Sequence, residues 1–252
     1  MKTFPTAGDC AATNSKARRG RGAAAAFAAC ALMALTAGAA HATTVTEGVG
    51  LLDTYTGPRP AADLDVTSAS STYSGVNIFL SATMDGNIGT THEGIYIWGV
   101  DRGLGTELLA APPGGITDTT VPVGQGVPFD AFIFLDNAGH GNVFLLTNEA
   151  RPHVLSVTPL AAGAVTISGR TISAVIPRSM LPDQGAGIAH YGYNIWPRFN
   201  DIGSNTRVTD FLPDDRNFEG SAVPEPAVWA TMITGFGLAG ATVRRRRRVL
   251  TA

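Results

Sequence analysis

Trp98 and Trp196 stand in the settings that point most directly to chemistry. Trp98 is followed by Asp101 and Arg102, and Trp196 lies between Asn194 and Arg198. A flat indole face with polar groups at its edge suits a sugar ring, which is recognised by apolar stacking plus a few placed hydrogen bonds. Trp98, Asp101, Arg102, Trp196 and Arg198 are therefore the candidate ligand-binding residues. The competing expectation is that both indoles fill a core beside Tyr96 and Tyr193, the usual fate of aromatics in strands. Exposure separates the two, because a sugar-binding indole must be partly exposed on a sheet face.

Other chemistry has less to stand on. His92, His140, His153 and His190 are scattered, with no HxH or HExxH spacing, and are read as loop histidines. Asp210, Asp214 and Asp215 could offer hard oxygen ligands to calcium, but a solvated turn after Pro213 is the simpler reading. No metal and no cofactor is expected. There is no GxSxG elbow, P-loop or dinucleotide fingerprint. A serine triad leaves no local signature, and the 19 carboxylates of residues 43–226 single out no glycosidase pair. The expectation is a non-catalytic body. The alternative is a secreted hydrolase with an unrecognised active site. An ice-binding surface would call for regular threonine repeats on a flat face, and none is read along the chain.

The elements that must position these residues read as short strands. Val76–Met84 alternates with period two, as a half-buried strand does. Ile95–Val100 is rich in β-branched and aromatic residues. Phe129–Leu135 and Asn142–Thr147 are apolar runs joined by the turn-rich Asp136–Gly141. Val165–Ile176 reads as a hairpin turning at Gly169, and Tyr191–Trp196 as a last aromatic strand. Only Arg178–Leu181 suggests a helical turn. The predicted fold is all-β, a single antiparallel sandwich of about eight or more strands.

Composition bounds the partners. Residues 43–226 carry 8 basic and 19 acidic side chains, net −11, and no lysine. A nucleic-acid binder would need a basic face, so that class is set aside. Both cysteines, Cys10 and Cys30, precede residue 43, so the body has no disulfide and its core must supply the stability.

The two ends read as addresses. Lys2, Lys16, Arg18, Arg19 and Arg21 form a basic region, Ala23–Ala40 an apolar one, and Ala40-His41-Ala42 fits the small-x-small rule of signal peptidase. The expected mature chain starts at Thr43. At the other end, Pro224 and Pro226 hold Glu225 in an extended segment. Ala227–Val243 follows without a charge, 17 residues, the lower limit for a membrane-spanning helix. Arg244, Arg245, Arg246, Arg247 and Arg248 then act as a stop-transfer block, cytoplasmic by the positive-inside rule. The expected domains are a signal peptide at 1–42, a β-sandwich body at 43–222 and a sorting tail with a transmembrane helix at 223–252.

Pro224-Glu225-Pro226, then Trp229-Ala230, Met232, Gly235-Phe236-Gly237-Leu238 and the arginine run resemble the PEP-CTERM sorting domain, in its PEPxxWA variant. The resemblance implies an exosortase-like membrane protease as partner, besides signal peptidase. It also implies export by a Gram-negative bacterium, with a precursor anchored in the inner membrane and a product at the cell surface or in an exopolysaccharide or biofilm matrix. The body, through Gly94–Gly103, Phe129-Asp130, Tyr193–Arg198 and Asp210–Phe218, resembles DOMON and family 9 carbohydrate-binding sandwiches. That likeness implies a ligand site on one sheet and extracellular polysaccharide as the ligand class.

Overall fold

The computed structural model describes residues 42–47, 61–109, 123–149, 153–199, 205–223 and 233–238. Twelve strands are present among them: β1 (Thr43–Thr46), β2 (Val66–Tyr73), β3 (Asn77–Met84), β4 (Gly94–Asp101), β5 (Ala131–Asp136), β6 (Gly141–Leu146), β7 (Val154–Pro159), β8 (Val165–Ser168), β9 (Thr171–Pro177), β10 (Gly192–Phe199), β11 (Phe218–Glu219) and β12 (Ser221–Ala222). They form two six-stranded sheets. Sheet A runs β1-β2-β3-β9-β8, with β12 also on β2; sheet B runs β11-β10-β4-β5-β6-β7. Every pairing is antiparallel except that of β12 with β2, which departs from the all-antiparallel expectation. The expected hairpin turns at Gly169, whose φ of 58° is open to glycine at no steric cost. The expected helical turn is a 3-10 turn at Arg178–Met180.

Strand periodicity builds the core. In β3, Ile78, Leu80, Ala82 and Met84 are buried and the residues between them point outward. They meet Tyr96, Trp98 and Val100 of β4, Ala131, Ile133 and Leu135 of β5, and Tyr193 and Ile195 of β10 in one cluster between the sheets. Strands β4 and β10 break the alternation, since seven of eight residues in each are buried. The cause is a second apolar cluster on the far side of sheet B. Ile95, Ile97 and Trp196 project there, beneath Leu108, Leu109, Val123, Val127, Phe129, Val208 and Phe211 from the flanking loops. A sheet face that is apolar must be covered, and here irregular chain does the covering. Both clusters lie within the compact unit Ala40–Pro224, so this segment carries the core it needs to fold alone.

Candidate functional site

The five predicted ligand residues do not converge on an open surface. Trp98 is 0% exposed and faces the inter-sheet core, edge-on to Phe218 at 6.4 Å. Trp196 is 2% exposed on the opposite face of sheet B, between Phe129 at 5.1 Å and Phe211 at 5.7 Å. A Cβ on Gly99, diagonal to it on β4, would collide with the Trp196 ring, so that position must stay glycine for the ring to keep its place. Neither indole presents a face to solvent. The competing expectation, that both indoles fill core, is the one the structure bears out, because along β4 and β10 sheet B is apolar and covered on both faces.

The polar members of the set hold turns and loops in place. Asp101 Oδ1 accepts from the backbone N–H groups of Gly103 and Gly105, each at 2.9 Å, and so shapes the turn out of β4. Arg102 is buried and paired with Asp130, Nε to Oδ1 at 2.7 Å. Its Nη1 donates to Pro182 O at 2.9 Å, which ties in the loop after β9. Arg198 is buried on the same side of sheet B as Trp196. These residues hold a fold together; they do not line a cleft.

The acidic run behaves in the same way. Asp210 is buried, with Oδ2 accepting from Val66 N at 2.6 Å and Oδ1 from Phe211 N at 2.8 Å. Burial pushes its carboxyl up to about 7, with Asp65 and Asp214 adding to the rise and the two N–H donors opposing it. Among the described residues no three His, Cys, Asp or Glu side chains are placed to hold a metal ion. His140, His153 and His190 are exposed and sit beside Asp136, Glu149 and Glu219 respectively.

The addresses fall mostly outside the described residues. Ala40, the motif Pro224, Glu225, Pro226, Trp229 and Ala230, and the block Arg244–Arg248 all lie there. Ala42 is exposed, immediately before β1. Within the expected span, residues 233–238 are helical and exposed. No helix of the described residues is long and apolar enough to cross a membrane.

A different surface is organised, and motif reading along the chain missed it. On the outer face of sheet A the cross-strand partners are hydroxyl residues over five strands. One row is Thr46, Ser68, Thr83, Thr171 and Ser168; the next is Thr44, Ser70, Ser81, Ser173 and Thr166. All ten are half-buried or exposed, and no charged residue lies among them. Sheet geometry spaces them about 4.8 Å across strands and about 6.7 Å along each strand. Ser81 Oγ meets Ser173 Oγ at 3.0 Å, and Thr83 Oγ1 meets Thr171 Oγ1 at 3.2 Å. A third row, Thr72, Phe79 and Val175, places an exposed aromatic ring beside the hydroxyls. The expectation of no regular hydroxyl array holds along the chain and fails across it. Each strand supplies only two or three Ser/Thr at alternate positions, and the register turns these into rows. Comparison with protein-family models gives no match, and comparison with curated proteins gives none either.

Proposed function

We propose that this chain is an exported, non-catalytic surface or matrix protein, sorted by an exosortase-type system, whose body binds neutral extracellular polysaccharide on the outer face of sheet A. The observation that carries the binding reading is the ten-hydroxyl array with Phe79 at its edge. Each hydroxyl can donate and accept, as sugar hydroxyls do. The exposed Phe79 ring offers an apolar patch to the C–H face of a sugar. The ten positions carry no charge within a body of net −11, with the Asp85–Arg170 pair at one end of the array, which favours an uncharged ligand over an ionic one. The leader, the Pro-Glu-Pro motif, the uncharged run and the arginine block support the export and sorting reading, with the body outside the cytoplasm.

The same array suits an ice surface, which is the second reading. One experiment separates these readings. The body, residues 43–223, is passed over immobilised neutral polysaccharides, alone and as Phe79→Ala and Ser81→Ala/Ser173→Ala variants, with assays for sugar release and for ice recrystallisation. Retention that these substitutions weaken supports the proposal. No retention on any polymer, or retention the variants leave untouched, rejects the site. Sugar release assigns a hydrolase, and ice inhibition alone redirects the ligand.

A further inference from the structure

The two ends of the body meet on one strand. Thr43 pairs with Ser71 of β2, and Ser221 pairs with the next residue, Thr72. The first and last strands of the body therefore lie end to end along the same edge of β2. They are tied directly, because the Thr43 backbone N donates to Ser221 Oγ at 3.1 Å. One residue past β12, Val223 N donates to Tyr73 O at 2.7 Å. Pro224 and the expected sorting motif follow at once.

We propose that removal of the leader latches the C-terminal strand onto β2 through Thr43 and Ser221. Hydrolysis of the Ala42–Thr43 bond consumes one water and leaves a carboxylate on Ala42 and an amine on Thr43. That amine is protonated below about pH 8. The neutral single donor that faces Ser221 Oγ becomes an ammonium with three donors, and a charge-assisted hydrogen bond is roughly twice as strong as a neutral one. Cleavage at one end of the body thus tightens the strand from which the second processing motif emerges. The titratable groups on the elements packed against β1 are Tyr73 of β2 and Glu219 of β11, the latter beside His190 at 3.2 Å. Asp214, Asp215 and Arg216 share a pocket with Val45, Thr46 and Glu47 at the other end of β1. Acids outnumber bases around β1, which favours a cation there.

The inference rests on the reading that the leader is cut after Ala42. Its test compares bodies 43–223 and 41–223, each with Ser221 and with Ser221→Ala, by hydrogen exchange at Ala222 and Val223. At pH 7 the body that begins at Thr43 should exchange about tenfold more slowly than the extended one, the gain of a charged over a neutral hydrogen bond. Ser221→Ala should erase the difference. The difference in thermal midpoint between the two bodies should also vanish on going from pH 7 to pH 9.5, as the amine loses its proton. Equal exchange in the two bodies, or a difference that survives Ser221→Ala, overturns the latch. N-terminal sequencing of the exported protein judges the leader reading separately. A start other than Thr43 rejects that reading, whereas a start at Thr43 with equal exchange rejects the latch alone.

Discussion

The two sheets have six strands each and opposite outer faces. Sheet A turns serines and threonines outward from β1, β2, β3, β8 and β9, all of them half-buried or exposed among the described residues. Sheet B turns Ile95, Ile97 and Trp196 outward and is covered by loop residues such as Phe129 and Phe211. The difference comes from alternate positions only. Both sheets point apolar side chains inward, and they part on what the intervening residues are. An apolar outer face commits the loops around it to packing, whereas a hydroxyl face leaves the sheet available to a partner. The tryptophans, the first residues to suggest a ligand, belong to the committed side.

The largest effects should follow from breaking sheet B on either face. Trp98→Ala and Trp196→Ala should each cost roughly 3–5 kcal/mol in denaturant unfolding, since each ring is fully enclosed. The two losses should differ in kind. Trp98 supports the cluster between the sheets, so its loss weakens the whole sandwich. Trp196 supports the outer layer, so its loss should also speed proteolysis within residues 101–109 and 205–217. A Trp196→Ala body as stable and as protease-resistant as the parent would show that the outer layer is no second core.

Next comes the ion pair that ties the end of β4 to the residue before β5 and to the loop after β9. Arg102→Ala leaves the Asp130 carboxylate buried beside backbone donors with no cation, and should cost about 3 kcal/mol or more. Removing both charges, with Arg102→Leu and Asp130→Leu together, should cost less than Arg102→Ala alone. Equal losses in the two variants would mean that the pair is worth only its packing. No comparable buried pair ties down the open face of sheet A among the described residues.

The pH dependence of stability tests more gently the buried carboxyl that Asp210 offers to the start of β2. Asp210 is pushed up to about 7 by burial, so the folded body binds its proton more tightly than the unfolded chain does. Stability is then fully present below about pH 4, the unfolded value, and falls as pH rises toward 7. The slope from this group should reach about 1.4 kcal/mol per pH unit within that window. Asp210→Asn should flatten the slope; its deficit should be largest near pH 4, because its amide N–H₂ must face Val66 N or Phe211 N, and should shrink as pH rises toward 7. A variant that keeps the parent slope would assign the dependence to other carboxyls.

How far this was legible in the sequence follows from where each signal is encoded. β3, β4, β6, β10 and the β8–β9 hairpin were readable because period and turn chemistry are local properties. β2, Val-Thr-Ser-Ala-Ser-Ser-Thr-Tyr, was missed because its inward positions include Ala69 and Ser71, which hardly alternate in hydropathy with the hydroxyls beside them. β7 was missed because it is an edge strand exposed over most of its length, so burial imposes no pattern on it. The near-continuous apolar runs of β4 and β10 are what burial on both faces produces, yet with polar residues beside them they fit a sugar site and a core equally in sequence. Run length cannot tell a covered face from an occupied one. The hydroxyl rows depend on the register of five strands that are far apart in sequence, and no local pattern encodes that register.

The smallest stability effects should fall on the open face, and they sharpen the contrast most. Ser173→Ala or Thr83→Ala removes one member of a solvent-facing hydroxyl pair, at 3.0 Å and 3.2 Å respectively. The partner left behind can turn to water, so no buried group is stranded. Each change should stay within about 0.5 kcal/mol of the parent, as surface substitutions do. The matching change on sheet B, Ile97→Ser, puts a hydroxyl under the loop cover and should cost several times more, about 2 kcal/mol or above. Measured side by side, these substitutions ask whether the sheets differ in kind. If Thr83→Ala destabilises as much as Ile97→Ser, the sheet A hydroxyls are structural ladders and no ligand need be sought there. If Thr83→Ala is silent in unfolding yet weakens retention on polysaccharide, the rows serve a partner. A strand face that spends ten positions on uncharged hydroxyls while contributing little to folding then has its explanation outside the chain.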